Sequence, residues 1–184
     1  VADSGCRILS LGIESISQTG LNDLNKSWVT VEETAQLLAK IQEAGILTAT
    51  EMMVGTDGDT VESIRNTADF IMKNNVAACK FFILTPLPGT EFHKQMKAAN
   101  RILHENYFRY NGIHCVFQPK NLTPEELEVE YWNLYHTTYS LKNILKRTVF
   151  NPHFLKAPSV YLFALFTCLV YRKFINRGDA PNIL

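Results

Sequence analysis

Three short stretches of this sequence carry residues that could do chemistry. They are Gly12-Ile13-Glu14-Ser15, Met53-Val54-Gly55-Thr56-Asp57-Gly58 and Thr85-Pro86-Leu87-Pro88-Gly89-Thr90. In the first, Glu14 closes the apolar run 7–14, RILSLGIE. A carboxylate there is costly unless a cation or hydrogen-bond donors meet it. The ammonium group of a ligand would do so, and so would a lysine or arginine of the chain. The motif alone leaves both open. Glu51 interrupts the apolar run 46–54 in the same way. It shares a strand face with Met53. That face is either a barrel interior, where a carboxylate suits ribose hydroxyls, or the helix-packing side, and a half-exposed strand residue would explain Glu51 equally. Gly55 and Gly58 permit positive φ and close backbone approach to a ligand, and a tight turn would explain them equally. No Gly-Lys-Ser/Thr follows, and the glycine pair of a dinucleotide fingerprint is absent, so neither phosphate-binding motif applies.

The metal-ligating residue types are scattered. Cys6, Cys79, Cys115 and Cys168 form no CxxC or CxxxCxxC, so they read as free packing thiols in a reducing cytoplasm. No two of the five histidines have the i, i+4 spacing of a helical ligand pair. Eighteen basic residues balance eighteen acidic ones, which argues against a nucleic-acid surface. The opening VADSGCRILS has no initiator Met and no signal-type apolar run. It reads as the start of a fragment.

These motifs need a frame. The runs 7–14, 46–54 and 77–84 read as buried strands. Thr30 and Glu33 form a capping box that opens a helix over 31–44, with Gly45 past its end. A second helix follows Asp59, capped by Asp59 and Glu62 or by Thr60 and Ser63, with Val61, Ile64, Ala68 and Ile71 on one face. Strand–helix–strand–helix–strand with connections of this length implies right-handed crossovers and a parallel sheet. Its strand C-termini, where ligands of such sheets bind, carry the three motifs. Further on, a short helix is expected over 91–99 and a strand over 113–117. Thr123, Pro124 and Glu126 start a helix expected to run to about Arg147, with a stripe of Leu127, Tyr131, Leu134, Thr138, Leu141 and Leu145.

GCRILSLGIES, AGILTATEMMVGTDGDT and FFILTPLPGTEF together resemble the fourth, fifth and sixth strands of the radical S-adenosylmethionine barrel. The nearest resemblance is to the cobalamin-dependent branch with the anaerobic magnesium-protoporphyrin monomethyl ester cyclase and hopanoid-biosynthesis enzymes. It covers roughly residues 1–145, and TPLPGT and NGIHCVFQPKNLTPEEL are the branch-like parts. The resemblance implies an α/β fold: the C-terminal half of a partial (β/α)6 TIM-like barrel over 1–100, a branch-specific region with a long helix over 101–148, and an apolar, basic tail over 149–184. It implies that Glu14 contacts the methionyl amino end of S-adenosylmethionine and that Ser15 and Glu51 lie near the methionyl or ribose groups. Val54, Gly55, Leu84 and Thr85 would flank the adenine. It further implies a four-iron cluster held by cysteines outside this segment, cobalamin bound by another domain, and a 5′-deoxyadenosyl radical acting on a large apolar, porphyrin- or lipid-like substrate. The partners implied are the N-terminal half of the same chain and that small molecule.

The run 160–171, VYLFALFTCLVY, is uncharged and is followed by Arg172, Lys173 and Arg177. Twelve residues are too few to cross a bilayer, which takes about 20. The run therefore reads as a helix packed on the protein or as a peripheral membrane contact of a cytoplasmic enzyme. A non-catalytic remnant, or a membrane- or partner-docking α/β module, is the alternative function. It would show no convergence of polar groups at the strand ends.

Overall fold

Alternation of apolar runs with capped helices gives three parallel strands in the order β1-β2-β3, in a computed structural model that describes residues 1–181. The last three residues of the 149–184 tail lie outside the described residues. The strands are β1 (Ile8–Glu14), β2 (Leu47–Val54) and β3 (Ala78–Ile83). Helices α2 (Val31–Glu43) and α3 (Val61–Lys73) cross between them. Thr30 with Glu33, and Thr60 with Ser63, form complete capping boxes. Each satisfies amides that the first helical turn leaves orphaned.

Parallel register fixes which side chains share a face. Ser10 pairs with Ala49 and Gly12 with Glu51, while Ala49 pairs with Ala78 and Glu51 with Lys80. These residues form one face. Ile13, Met52, Val54, Cys79, Phe81 and Ile83 point to the other, where they join Leu38, Ile64 and Ile71 in the core. α5 (Pro124–Thr138) closes that core with Leu127, Tyr131, Leu134 and Tyr135. The remaining helices are α1 (Gln18–Asp23), α4 (Glu91–Ala98), α6 (Leu141–Arg147) and α7 (Pro158–Ile175).

The two sheet edges are treated differently. Along β3, the Tyr135 hydroxyl accepts from Phe81 N at 2.9 Å and donates to Phe81 O at 3.2 Å. Tyr139 does the same for Cys79, at 2.9 and 2.6 Å. Helix residues four apart rise about 6.0 Å, close to the roughly 6.6 Å between alternate strand residues. Two phenols, one on α5 and one at its C-cap, therefore match the backbone of an edge strand and end the sheet there. Burial pushes both phenol pKa values far up, so both keep the proton they donate. β1 has no strand on its outer side among the described residues. Ile8, Ser10 and Gly12 are exposed along it.

The structure departs from the sequence reading at four places. The helix expected to run from 123 to 147 breaks at Tyr139 and Ser140, where Ser140 takes an extended conformation, φ −61° and ψ 146°. Leu141 and Leu145 therefore leave the buried stripe and are exposed. The strand expected over 113–117 is reduced to one antiparallel bridge, Ile102 with Phe117. The polar stretch after Glu14 holds the short helix α1, opened by Ser17, whose side chain accepts from Gly20 N. The tail forms α7, 18 residues where the apolar run suggested 12, because Pro158 starts it early and its basic end stays helical to Ile175.

Candidate functional site

Parallel strands place Glu14, Val54 and Ile83 at one edge of the sheet, so the three motifs follow from the same side. Glu14 has φ +69°, a left-handed conformation uncommon outside glycine. The β1–β2 register slips between Gly12 and Glu14, and such a bulge re-aims a side chain. Gly12 Cα bears no side chain, and a Cβ built there would lie 2.6 Å from Glu14 Oε1. Gly12 shares its face with Glu51. The Glu14 carboxylate therefore lies over the sheet face opposite the α2–α3 core.

A cation already meets it. Lys26, just after α1, donates from Nζ to Glu14 Oε1 and to the Gly12 carbonyl, both at 3.0 Å. Both side chains are mostly covered, 19% exposed for Glu14 and 32% for Lys26. Lys26 is thus a cation of the chain that meets this carboxylate. It also shows that a carboxylate and a carbonyl here can jointly hold an ammonium group.

Ser15 is buried and committed locally: its Oγ accepts from Ser17 N at 3.1 Å. Glu51 is exposed on the same face as Gly12. It lines a mostly apolar groove of about 580 Å³ between the sheet and α7, together with Ser10, Lys80, Phe163, Phe166 and Tyr171. Burial, with Cys168 and Glu51 nearby, raises the Tyr171 pKa.

At the end of β2, Val54 turns its side chain into the core, as period-2 alternation from Met52 requires. Its carbonyl accepts from Leu84 N at 2.9 Å. Val54 thus offers no side chain to the face that Glu14 and Glu51 share. Gly55 has φ +97°, and a Cβ there would lie 2.8 Å from Leu127 Cδ2. Both constraints demand glycine. Leu84 and Thr85 are half-buried, with Thr85 Oγ1 donating to Ile83 O at 2.9 Å.

Sequence reasoning passed over Asp59, weighing it only as a helix cap. Its carboxylate is buried and accepts from Gly55 N and Thr56 N, each at 2.8 Å, and from Ser63 Oγ at 3.1 Å. Its spacing was the available signal: an acid four residues after the turn glycine reaches back to the amides the turn exposes. Arg101 (2.7 Å) and Lys120 (2.6 Å) clamp Asp57 in the same loop. Asn121 Nδ2 donates to the Asp57 and Asp59 carbonyls at 2.9 and 3.2 Å. Gly58 N donates to Asp23 Oδ2 at 3.2 Å, joining this loop to α1.

Partial burial alone would raise the Asp57 carboxyl, but the hydrogen bonds and charges of Arg101 and Lys120 outweigh it and lower its pKa. A depressed folded-state pKa stabilises the fold above the unfolded value, about 3.9. That contribution is lost as pH falls through the lower folded value. Asp57→Asn should therefore destabilise by about 1 kcal/mol or less near neutrality, the carboxylate being partly solvated. The difference should narrow at an acid pH well below that unfolded value. Urea midpoints of both proteins at the two pH values check this, and a gap that persists undiminished in acid would refute it.

Among the described residues, no group of three or more His, Cys, Asp or Glu is placed to hold a metal ion. The four cysteines are free, and three are buried. Burial pushes the Cys115 and Cys168 thiols up to about 11, as packing residues require.

No family model matches the chain. It is 31% identical over 144 residues to the bacteriochlorophyllide d C-12(1)-methyltransferase of Chlorobaculum tepidum, a match covering 78% of this chain and 31% of the relative. Against the C-8(2)-methyltransferase of the same organism it is 29% identical, over 83% of this chain and 34% of the relative. Against the anaerobic magnesium-protoporphyrin IX monomethyl ester cyclase of Cereibacter sphaeroides it is 28% identical, over 73% and 21%. The chain thus spans about a third of the length of the curated methyltransferases it matches. Among solved structures, the radical S-adenosylmethionine methyltransferase TsrM of Kitasatospora setae, with cobalamin and a 4Fe-4S cluster bound, aligns with a TM-score of 0.49 and 24% identity, over 71% of this chain and 27% of its own. By these relatives the chain is similar to a segment of the bacteriochlorophyllide d methyltransferases and of the anaerobic magnesium-protoporphyrin IX monomethyl ester cyclase, in keeping with its resemblance to the cobalamin-dependent radical S-adenosylmethionine branch.

Proposed function

We propose that this segment is the part of a radical S-adenosylmethionine enzyme that holds the methionyl end of the cofactor beside a large apolar, porphyrin- or lipid-like substrate. The carrying observation is the ammonium on Glu14: the carboxylate and the Gly12 carbonyl, both 3.0 Å from Lys26 Nζ, form a site that fits a primary amino group. In this reading Glu14 holds the amino end and Glu51, on the same face, lies toward the ribose or the substrate. Gly55, Leu84 and Thr85 offer the adenine backbone and half-buried surface. Val54 contributes only its backbone, and Ser15 shapes the turn into α1.

The three strands serve as the C-terminal half of a partial (β/α)6 barrel over 1–100, with 101–148 and 149–184 as helical additions. The tyrosine-capped edge of β3 supports a sheet that ends there, and the open edge of β1 supports strands before it. S-adenosylmethionine with a four-iron cluster, its cysteines elsewhere in the protein, would supply a 5′-deoxyadenosyl radical, and cobalamin would serve where a methyl group is transferred. This chain's residues orient the cofactor and keep water from it.

The test uses the full-length protein, reconstituted anaerobically with iron and sulfide and given S-adenosylmethionine and a reductant. Formation of 5′-deoxyadenosine or S-adenosylhomocysteine, read by mass spectrometry, is the expected result. A reconstituted protein that forms neither and does not retain S-adenosylmethionine in equilibrium dialysis would sink the reading.

A further inference from the structure

Charge is unevenly distributed along the chain. From Tyr131 to Gly178 there is no aspartate or glutamate, against seven lysines and arginines, although the whole chain has a formal net charge of zero. Arg147 is buried, whereas Lys142, Lys146, Lys156, Lys173 and Arg177 are exposed. The same stretch exposes large apolar side chains: Phe150 73%, Leu155 86%, Leu162 51%, Phe163 56%, Phe166 67% and Leu169 41%. An exposed apolar set of this kind marks an interaction surface.

α7 shows how it is arranged. Tyr161, Ala164, Cys168, Tyr171 and Ile175 are buried, a 3,4,3,4 stripe facing the protein. Leu162, Phe163, Phe166 and Leu169 lie off that stripe, and Lys173 follows them. By length and composition the helix could cross a membrane. Its packing places it on the surface instead. The inner stripe is tied to the sheet: Cys168 Sγ donates to Ala77 O at 3.2 Å and Arg172 Nη1 to Tyr139 O at 2.8 Å. Spanning would break these contacts, whereas lying flat keeps them and sinks only the outer face.

We infer that α6, α7 and the turn between them dock this protein on an anionic lipid surface, with Phe150, Leu155, Leu162 and Leu169 in the acyl–headgroup boundary and the lysines among the phosphates. The paired signals, apolar side chains plus unopposed cations, are those that peripheral membrane binding needs. A second copy fits poorly, because a two-fold contact would set this cationic face against itself. A nucleic acid would bury the aliphatic Leu155, Leu162 and Leu169 against a polar backbone.

Full-length protein is co-sedimented with vesicles of phosphatidylcholine alone and of phosphatidylcholine mixed with phosphatidylglycerol. Binding to the anionic vesicles is expected, weakening as salt is raised. Leu162→Glu/Leu169→Glu, at exposed positions outside the groove that Phe163 and Phe166 line, should reduce it about tenfold or more, and Lys142→Glu/Lys146→Glu/Lys156→Glu comparably. Both variants change exposed positions, so an unaltered thermal melt is the folding control. Equal binding to neutral vesicles would overturn the electrostatic half. Failure to bind either vesicle overturns the proposal outright; a concentration-dependent dimer on sizing would then assign the face to a second copy, and a monomer to cover by the rest of the chain.

Discussion

Arg147→Met should lower folding stability by about 3–5 kcal/mol, among the largest single-residue effects in this chain. Arg147 is fully buried and has no acidic partner among the described residues. Its Nη1 donates to the carbonyls of Val76 at 2.7 Å and Ala77 at 3.0 Å, and its Nη2 to that of Thr138 at 2.7 Å. The guanidinium also stands 5.5 Å from the centre of the Tyr139 ring. It thus joins the C-terminal end of α5 to the entry of β3, where backbone groups have no strand to pair with. Methionine keeps much of the volume and removes every donor. Three buried carbonyls then lose charge-assisted bonds worth about 1.5–3 kcal/mol each, offset in part because no cation need be desolvated. Lysine keeps the charge but not the planar fork, so Arg147→Lys should fall between. Tyr139→Phe, which strands Cys79 N–H and C=O, should cost about 1–3 kcal/mol. Urea unfolding at constant m-value reads all three. A methionine variant within 1 kcal/mol of the parent would show that water or a shifted α6 satisfies those carbonyls.

That cluster also shows what the sequence could and could not reveal. Strands, crossovers and caps were legible because their signals are local: a run of apolar residues, or Thr30 three residues before Glu33. The break between α5 and α6 was not, since Leu141 and Leu145 continue the helical period. What bends the chain is distant. Tyr139 reaches Cys79, 60 positions away, and Arg147 reaches Val76, 71 away. Helix propensity yields to such contacts. The site divides similarly. Glu14 and the turn glycines stood out by type and position. The partner of Glu14 was hidden in a polar stretch with no pattern to single out Lys26, 12 residues on. Val54 looked like a strand-end residue open to a ligand, but alternation from the buried Met52 puts it in the core.

The ion pair at Glu14 allows a test in which two substitutions should act in opposite directions. In the full-length protein, Glu14→Gln should weaken S-adenosylmethionine binding about 10- to 100-fold, the loss of one charge-assisted hydrogen bond of roughly 1.5–3 kcal/mol. Lys26→Met should tighten it. Lys26 Nζ sits on the two oxygens that an incoming amino group would use, so it must leave before that group can bind. A site blocked in part by its own side chain shows an affinity reduced by the blocked fraction. Without ligand, Lys26→Met should be mildly destabilising, by about 1 kcal/mol or less, because the pair is partly solvated. Added S-adenosylmethionine should restore that loss in a thermal melt. The double variant should bind close to Glu14→Gln, since the carboxylate is the stronger of the two oxygens that hold Lys26. Equilibrium dialysis of the four proteins reads the cycle. Should Lys26→Met weaken binding as much as Glu14→Gln does, the lysine contacts the cofactor rather than standing in for it. Should Glu14→Gln leave binding unchanged, the amino end lies elsewhere, and the left-handed backbone of Glu14 serves the ion pair alone.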